Sequence, residues 1–372
     1  MRKTILIINK FCPLHPKSGG AEKNLLEIFS RIGERHNVYL LTAMFPGAKR
    51  EEIYRNIHIY RLGNPDSENV IRIHLLLPFL LKNYLKTVKP DILFEDISVL
   101  PFFTPLLYPK QNKAVMIHAF NRKYFFKSQR FFFALIAYIV ETLFLLFYRR
   151  EKVIVISEWM KQELLKWGFE NVHKVLNGVD DDLFLIRKEY APKPTVLFLG
   201  RLEGRKGIDL FLKTFPFVKE KIPAVKYIIA GREFSFGSSR LNAILNKYKE
   251  NYSSEEIKFL GYVSEEKKQE LFKSVWLCVV PSRIEGYGIS VLEANATGMF
   301  VIANDVKGLK ESVIDGETGI LANCYDSEVF AQKIVEWLDK EKLQNKESVC
   351  RQWAIKHGWQ KSFQEIQSLL SL

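Results

Sequence analysis

Pro281-Ser-Arg-Ile-Glu285-Gly-Tyr-Gly288-Ile-Ser-Val-Leu-Glu293-Ala-Asn-Ala-Thr-Gly298 follows the short apolar run Leu277-Cys-Val-Val280. Four consecutive apolar residues ahead of a glycine-bearing turn predict a buried strand. The turn then passes into a helix that starts near Ile289 or Ser290 and stops at Gly298. Gly286 and Gly288 let the backbone come close to a ligand. The first helical amides, Ile289 to Val291, lie at the positive end of the helix dipole and form an anion site. Glu293, in the first turn, can reach sugar hydroxyls one step beyond a phosphate, and Glu285 projects toward the far side of the same ligand. The plainer alternative makes them an exposed loop acid and an acid that complements the dipole.

A second constellation, Leu199-Gly200-Arg201-Leu-Glu-Gly-Arg-Lys206-Gly207, follows the strand-like run Thr195-Val-Leu-Phe-Leu199 and opens another helix. Arg201 and Lys206, a planar donor fork and a point charge flanked by glycines, suit a diphosphate. The order of residues is not that of a Walker A loop. Gly19-Gly20 opens the first helix of the chain and offers a further backbone anion site, although an isolated Gly-Gly is usually only a turn.

Around these loops, short apolar runs at 4–9, 38–42, 91–94, 115–117, 153–156, 227–230 and 299–303 alternate with helical stretches such as Ala21–Arg35. That alternation predicts parallel sheets covered on both faces. It breaks at Arg187-Lys-Glu-Tyr-Ala-Pro-Lys-Pro194, which divides the 372 residues into two Rossmann-like domains. Four scattered cysteines without a CxxC pair argue for a reducing compartment. The first apolar run is too short for a signal peptide.

In family order and at family spacing, these pieces resemble a family 4 retaining glycosyltransferase of the GT-B fold. The pieces are Gly19-Gly-Ala-Glu22, His118, Ile156-Ser157, Asn177-Gly-Val-Asp180, Gly200-Arg201 with Lys206-Gly207, Ala230-Gly231, Phe259-Leu-Gly-Tyr262, the Glu285-to-Glu293 passage, Glu311 and Asp315-Gly-Glu-Thr-Gly319. The resemblance implies an α/β architecture of two Rossmann-like domains facing a central cleft. Residues 1–186 would receive the acceptor and 187–354 the donor, and a C-terminal helix within 355–372, around Trp359…Phe363, would cross back to the first domain.

It further implies that Arg201 and Lys206 bind the donor diphosphate, with Gly200 in the same turn. Glu293 would bind the nucleotide ribose, and Glu285 the donor-sugar hydroxyls. Amides at Gly288, Ile289, Ser290 and Val291 and at Gly19 and Gly20 would complete the cradle, and His118 would touch the sugar. A histidine in that place can equally be a packing residue. Base recognition is expected near Arg232 and Gly261–Val263, with UDP- and GDP-sugars both open. The mechanism expected is a front-face displacement guided by the nucleotide phosphate. Asp180-Asp181-Asp182 contains a literal D-x-D, but its place after Asn177-Gly178-Val179 reads as a turn or cap. No metal and no cofactor beyond the donor are expected.

The chain carries 55 Lys and Arg against 42 Asp and Glu, net +13, and the excess is uneven. Residues 1–186 hold 27 against 18, and 187–372 hold 28 against 24. Between Lys110 and Arg150 there are eight basic residues and one acid, Glu141, interleaved with aromatics. A transmembrane span over 134–147 is rejected. It falls short of about 20 residues, Glu141 at its middle costs roughly 3 kcal/mol, and a crossing there splits one domain across a membrane.

The expectation is a buried helix at 134–147, apolar all round except a stripe through Tyr138, Glu141 and Thr142. Arg122–Phe133 is expected to form a basic-aromatic flap on an anionic bilayer, with 73–86 a second candidate contact or a core helix. A lipid or lipid-linked acceptor and peripheral attachment to the inner face of the cell membrane follow. No nucleic-acid motif is present, although basic residues among aromatics can stack on single strands. A soluble acceptor, a nucleotide-sugar epimerase and a phosphorylase remain as rivals on the same fold.

Overall fold

A computed structural model describes residues 1–64, 80–97, 100–120, 126, 131–233 and 239–372. The chain folds into two compact units. Unit 1 holds Met1–Gly178 and Trp359–Leu372, and unit 2 holds Val179–Gly358. The division falls ahead of the proline-bearing stretch at 187–194. That stretch is docked within unit 2, where the Glu189 and Ala191 amides donate to the Lys273 and Ser274 carbonyls at 2.8 and 2.9 Å. It is fastened backbone rather than a free joint.

Unit 1 is built on eight strands: β1 (Thr4–Ile8), β2 (Asn37–Ala43), β3 (Glu51–Tyr54), β4 (Ile57–Leu62), β5 (Ile92–Ile97), β6 (Lys113–Ile117), β7 (Lys152–Val155) and β8 (Val172–Lys174). Their order is β3-β4-β2-β1-β5-β6-β7-β8, parallel throughout except β3 against β4. The β3–β4 hairpin was not legible as strands. Its Arg55-Asn56 turn has positive φ at both central residues, which matches the right-handed twist of a two-residue hairpin. Helices of the unit include α1 (Gly20–Ile32), α2 (Thr104–Leu107) and α3 (Phe131–Leu145), and residues 80–88 are also helical.

Helix α3 corrects one expectation. It is not buried all round: one apolar face is open to solvent, and Glu141 of the polar stripe is inside. Ala134, Glu141, Leu145 and Tyr148 are buried, whereas Phe132, Leu135, Ile136, Ile139, Leu143 and Phe147 are exposed. Just past the helix, the Tyr148 hydroxyl donates to Glu95 Oε1 at 2.7 Å. Of the flap at 122–133 only residues 126, 131, 132 and the backbone of 133 are described, and the candidate contact at 73–86 lies outside the described residues up to 79. No helix among the described residues is long and apolar enough to cross a membrane.

Unit 2 has six parallel strands, β9 (Thr195–Leu199), β10 (Lys226–Ala230), β11 (Ile257–Gly261), β12 (Leu277–Val280), β13 (Val301–Asn304) and β14 (Gly319–Ala322). Their order is β11-β10-β9-β12-β13-β14. All four residues of β12 and of β13 are buried, so the continuous apolar runs read from sequence are central strands covered on both faces. Between Glu158–Lys166 (α4) in unit 1 and the final helix lie α5 (Ile208–Lys221), α6 (Ser239–Asn251), α7 (Glu265–Ser274), α8 (Ile289–Ala296), α9 (Leu309–Ser312), α10 (Ser327–Trp337) and α11 (Lys340–Ala354).

The final helix α12 (Trp359–Leu369) returns to unit 1 and packs on α1. The Ser362 hydroxyl donates to the Leu176 carbonyl at 2.7 Å and Lys3 Nζ to Ser371 O at 2.6 Å. The crossing helix read from Trp359…Phe363 is therefore present.

Candidate active site

The strand order of unit 2 reverses between β9 and β12, the place where a doubly wound sheet opens a crevice at its carboxyl edge. The loops leaving these two neighbours are residues 200–207 and 281–288. They are joined backbone to backbone: the Arg283 amide donates to the Arg205 carbonyl at 2.8 Å. Gly207 sits in the left-handed region (φ +73°), and a Cβ there would lie 2.0 Å from the Pro281 carbonyl oxygen. Arg283 locks the same junction, with two 2.7 Å hydrogen bonds to Asp209 and one of 2.5 Å to the Gly204 carbonyl. Two segments 79 residues apart become one platform.

On that platform Lys206 and Glu285 meet. The ammonium donates to both carboxylate oxygens, at 2.7 and 3.0 Å. Burial alone would raise the Glu285 carboxyl. The charge of Lys206, then that of Arg205, and the hydrogen bond from Lys206 outweigh it and hold the group below its ordinary value. Arg201, one-third exposed, is 3.4 Å from Glu203 Oε1.

Across the turn, Gly288 (φ +98°) caps α8. The Val291 amide donates back to Gly288 at 3.0 Å, so the amides of Ile289 and Ser290 precede the first intrahelical bond. One turn on, Glu293 is buried, and Lys268 of α7 donates to its Oε1 at 3.0 Å. At the adjacent strand ends the Arg232 guanidinium lies over the Tyr262 ring, 4.2 Å from its centroid. Val263 follows, half-buried. The structure thus brings Gly200, Arg201, Lys206, Arg232, Val263, Glu285, Gly288, Ile289, Ser290, Val291 and Glu293 to one edge of one sheet.

Gly19, Gly20 and His118 belong to unit 1, where the strand order reverses between β1 and β5. Gly19 caps α1, and its amide donates to Glu22 Oε2 at 2.7 Å, so that N–H is already engaged. His118 follows β6 and places Nε2 2.5 Å from Asp96 Oδ1, and Asn9 Nδ2 donates to Asp96 Oδ2 at 2.8 Å. Burial pushes the imidazole pKa down. The Asp96 carboxylate, by charge and hydrogen bond, and then Glu22 overcome this and raise it above the ordinary value. The charged form is therefore favoured in the fold. The stability it brings is complete below the ordinary value and is lost as pH rises through the folded one.

Asp96→Asn is expected to lower the His118 pKa, because burial is then opposed chiefly by Glu22. An NMR titration of the imidazole Cε1–H reads it, and an unmoved midpoint contradicts the pairing.

Asp96, Asn9, Lys268 and the Arg283–Asp209 pair were missed in the sequence. Asp96 had a signal, as the second of two acids continuing the buried run Asp91-Ile-Leu-Phe94. Lys268 had none, being one of several charges on α7. Asp180 lies at the start of a short 3-10 turn, where the Leu183 amide donates to its carbonyl at 3.1 Å. Among the described residues no group of three or more His, Cys, Asp or Glu is placed to hold a metal.

Residues 180–351 match the family described as Glycosyl transferases group 1, and residues 18–183 match Glycosyltransferase Family 4. The chain belongs to the family 4, group 1 glycosyltransferases. The D-inositol 3-phosphate glycosyltransferase of Mycolicibacterium smegmatis is 30% identical over 203 residues, which is 51% of this chain and 46% of that protein. The chain thus spans about half the length of the curated relatives it matches first.

Two solved structures show the same fold. Sucrose-phosphate synthase from Thermosynechococcus elongatus superposes with a TM-score of 0.83 at 19% identity, over 100% of this chain and 98% of that one. Anabaena HepE, in complex with UDP and glucose, superposes with a TM-score of 0.73 at 17% identity over 100% of both chains. This family 4 glycosyltransferase therefore has the GT-B architecture, and the two glycine-bearing loops of unit 2 fall inside the group 1 match.

Proposed function

We propose that the protein transfers a hexosyl unit, with retention, from a UDP- or GDP-linked sugar to a lipid or lipid-linked glycan at the cytoplasmic membrane face. The observation that supports the reading most is the Lys206–Glu285 pair, held on a rigid platform beside Arg201 and the start of α8. In this proposal the donor diphosphate takes the place facing Arg201, Lys206 and the Ile289 and Ser290 amides. Cations and dipoles already oriented there need no reorganisation as negative charge grows on the leaving phosphate.

Glu293, steadied by Lys268, accepts hydrogen bonds from the ribose diol, and Glu285 accepts them from the sugar hydroxyls. The bond from the anomeric carbon to the phosphate oxygen breaks while the acceptor oxygen bonds to the same face. The acceptor proton passes to the departing phosphate. The complex of Anabaena HepE with UDP and glucose supports a UDP-sugar, and the acceptor named for the Mycolicibacterium relative, an inositol phosphate, supports a transfer rather than an epimerisation. The membrane part rests on the basic-aromatic composition of 122–133. The roles of His118 and of the Gly20 amide toward the donor are part of the same proposal; the Gly19 amide, which donates to Glu22, is not.

Thermal denaturation in the presence of UDP, GDP and their hexose conjugates tests the donor half. A ligand that binds only the folded state raises the melting temperature by mass action. One base is expected to do so and the other not, and no shift with any of them refutes the donor site. Donor turnover with and without a lipid acceptor then separates transfer from epimerisation, which proceeds without one.

A further inference from the structure

We infer that the outward face of α3 enters the acyl region of an anionic bilayer, so that the protein is held by hydrophobic insertion as well as by charge. This deepens, and rests on, the peripheral-membrane reading above. Phe132, Leu135, Ile136, Ile139, Leu143 and Phe147 recur at helical spacing on one face, with exposures from 36% (Leu135) to 68% (Phe132). Ala134, Glu141, Leu145 and Tyr148 recur on the opposite face and are buried. A helix on a water-facing surface has the reverse arrangement.

The apolar face extends beyond the helix. The Phe126 ring lies 5.9 Å from that of Phe131 and 5.8 Å from that of Tyr138. The short helix α2, with Leu106 and Leu107 exposed, packs beside residues 146–148.

Chemistry selects lipid over a protein partner. Tyr138, Glu141 and Thr142 are the polar side chains of 131–147, and none of them is exposed. The outward face is therefore poor in the hydrogen bonds that protein interfaces carry at about one per 100–200 Å². Charge points the same way. Of the nine ionisable Lys, Arg, Asp and Glu residues in 110–150, eight are basic, and the single acid, Glu141, is turned inward. Lys110, three residues past α2, and Arg149 and Arg150, just past the 146–148 turn, are exposed and match anionic headgroups. Fifteen residues of helix are about 22 Å long, too short for a core about 30 Å thick. They are long enough to lie in the interface with one face several ångströms deep.

The test uses the full chain. All four native cysteines are buried, so Ile139→Cys can be labelled selectively with an environment-sensitive fluorophore. With vesicles of phosphatidylglycerol and phosphatidylcholine, the label is expected to shift to the blue. It should be quenched by nitroxide on the acyl chains and protected from aqueous iodide. Leu135→Gln with Leu143→Gln should reduce vesicle partitioning at least about tenfold, with melting temperature and nucleotide-induced shift unchanged because both side chains point outward.

Vesicle-bound protein whose label stays open to iodide overturns insertion and leaves attachment by charge standing. Absence of binding to anionic vesicles overturns insertion and the membrane reading together, while the nucleotide shift still reports on the donor site separately. A dimer in light scattering that the Leu135/Leu143 variant dissolves identifies a second copy as the occupant and overturns the lipid assignment.

Discussion

Lys206→Ala is expected to lower the transfer rate by about 100- to 1,000-fold, the loss usual when one preorganised charge is removed from a developing anion and equivalent to about 3–4 kcal/mol. The same change acts on the fold by a separate route. Glu285 has a side chain 14% exposed and is held ionised by the ammonium 2.7 Å away. Removing one partner of a buried pair leaves the other charge uncompensated, at a cost of about 3 kcal/mol.

The two effects can be told apart by pH. In the native protein the Glu285 carboxyl is depressed, so its contribution to stability is present above the unfolded value and is lost as pH falls through the folded one. In Lys206→Ala burial loses its nearest opponent and the carboxyl rises. The slope then reverses, and stability falls from mildly acidic toward neutral pH. Thermal melts across that range read the slope. Adding Glu285→Gln to Lys206→Ala removes the orphaned charge and is expected to recover most of the melting temperature without recovering transfer. Near-native transfer in Lys206→Ala would contradict the assigned site, whatever the melts show.

That pair also marks what the sequence could and could not convey. Lys206 and Glu285 were each visible beside a glycine at a strand end, and each was given its own ligand group. Nothing in a linear pattern says that two residues 79 positions apart neutralise one another. The sheet does it, by making β9 and β12 neighbours at the point where the strand order reverses. Strands such as β12 and β13 were legible because burial on both faces leaves uninterrupted apolar runs. The β3–β4 hairpin was not, because β3 is a four-residue edge strand opening on two glutamates and β4 alternates apolar with polar or aromatic residues instead of forming such a run.

Helix α3 departed from expectation for a different reason. Periodicity locates the polar stripe through Tyr138, Glu141 and Thr142, but in a helix this apolar it cannot say whether the other faces are covered. Burial gives the answer: Glu141 is inside, and the apolar side chains opposite it are exposed. His118 came from the family resemblance. Asp96 was visible only as an acid continuing a buried run, and its pairing with His118 shows only in the fold, where β5 and β6 lie side by side.

Gly207→Ala is expected to be among the most damaging single-methyl changes in unit 2, and a second glycine isolates why. Gly207 and Gly316 share the left-handed conformation, at φ +73° and +78°. An alanine pays for that conformation with about 1–2 kcal/mol wherever it sits. At Gly316 nothing lies within 4 Å of the new methyl, so strain is the whole effect. At Gly207 the methyl arrives 2.0 Å from the Pro281 carbonyl oxygen and 2.8 Å from its carbon. Both are backbone atoms that no rotamer change can move.

The loop at 281–288 must then retreat from the loop at 200–207, lengthening the Arg283 amide bond to Arg205 and moving Glu285 from Lys206. A total loss of about 3–4 kcal/mol follows, or a melting temperature lower by roughly 6–16 °C for a unit of this size, against roughly 2–8 °C for Gly316→Ala. Nucleotide-induced stabilisation should vanish in Gly207→Ala and persist in Gly316→Ala, because only the first disturbs the ground on which the diphosphate is proposed to sit. Equal melting temperatures for the two variants would mean that the loops are not in backbone contact, and the Lys206–Glu285 pair would lose the rigidity that its role in transfer requires.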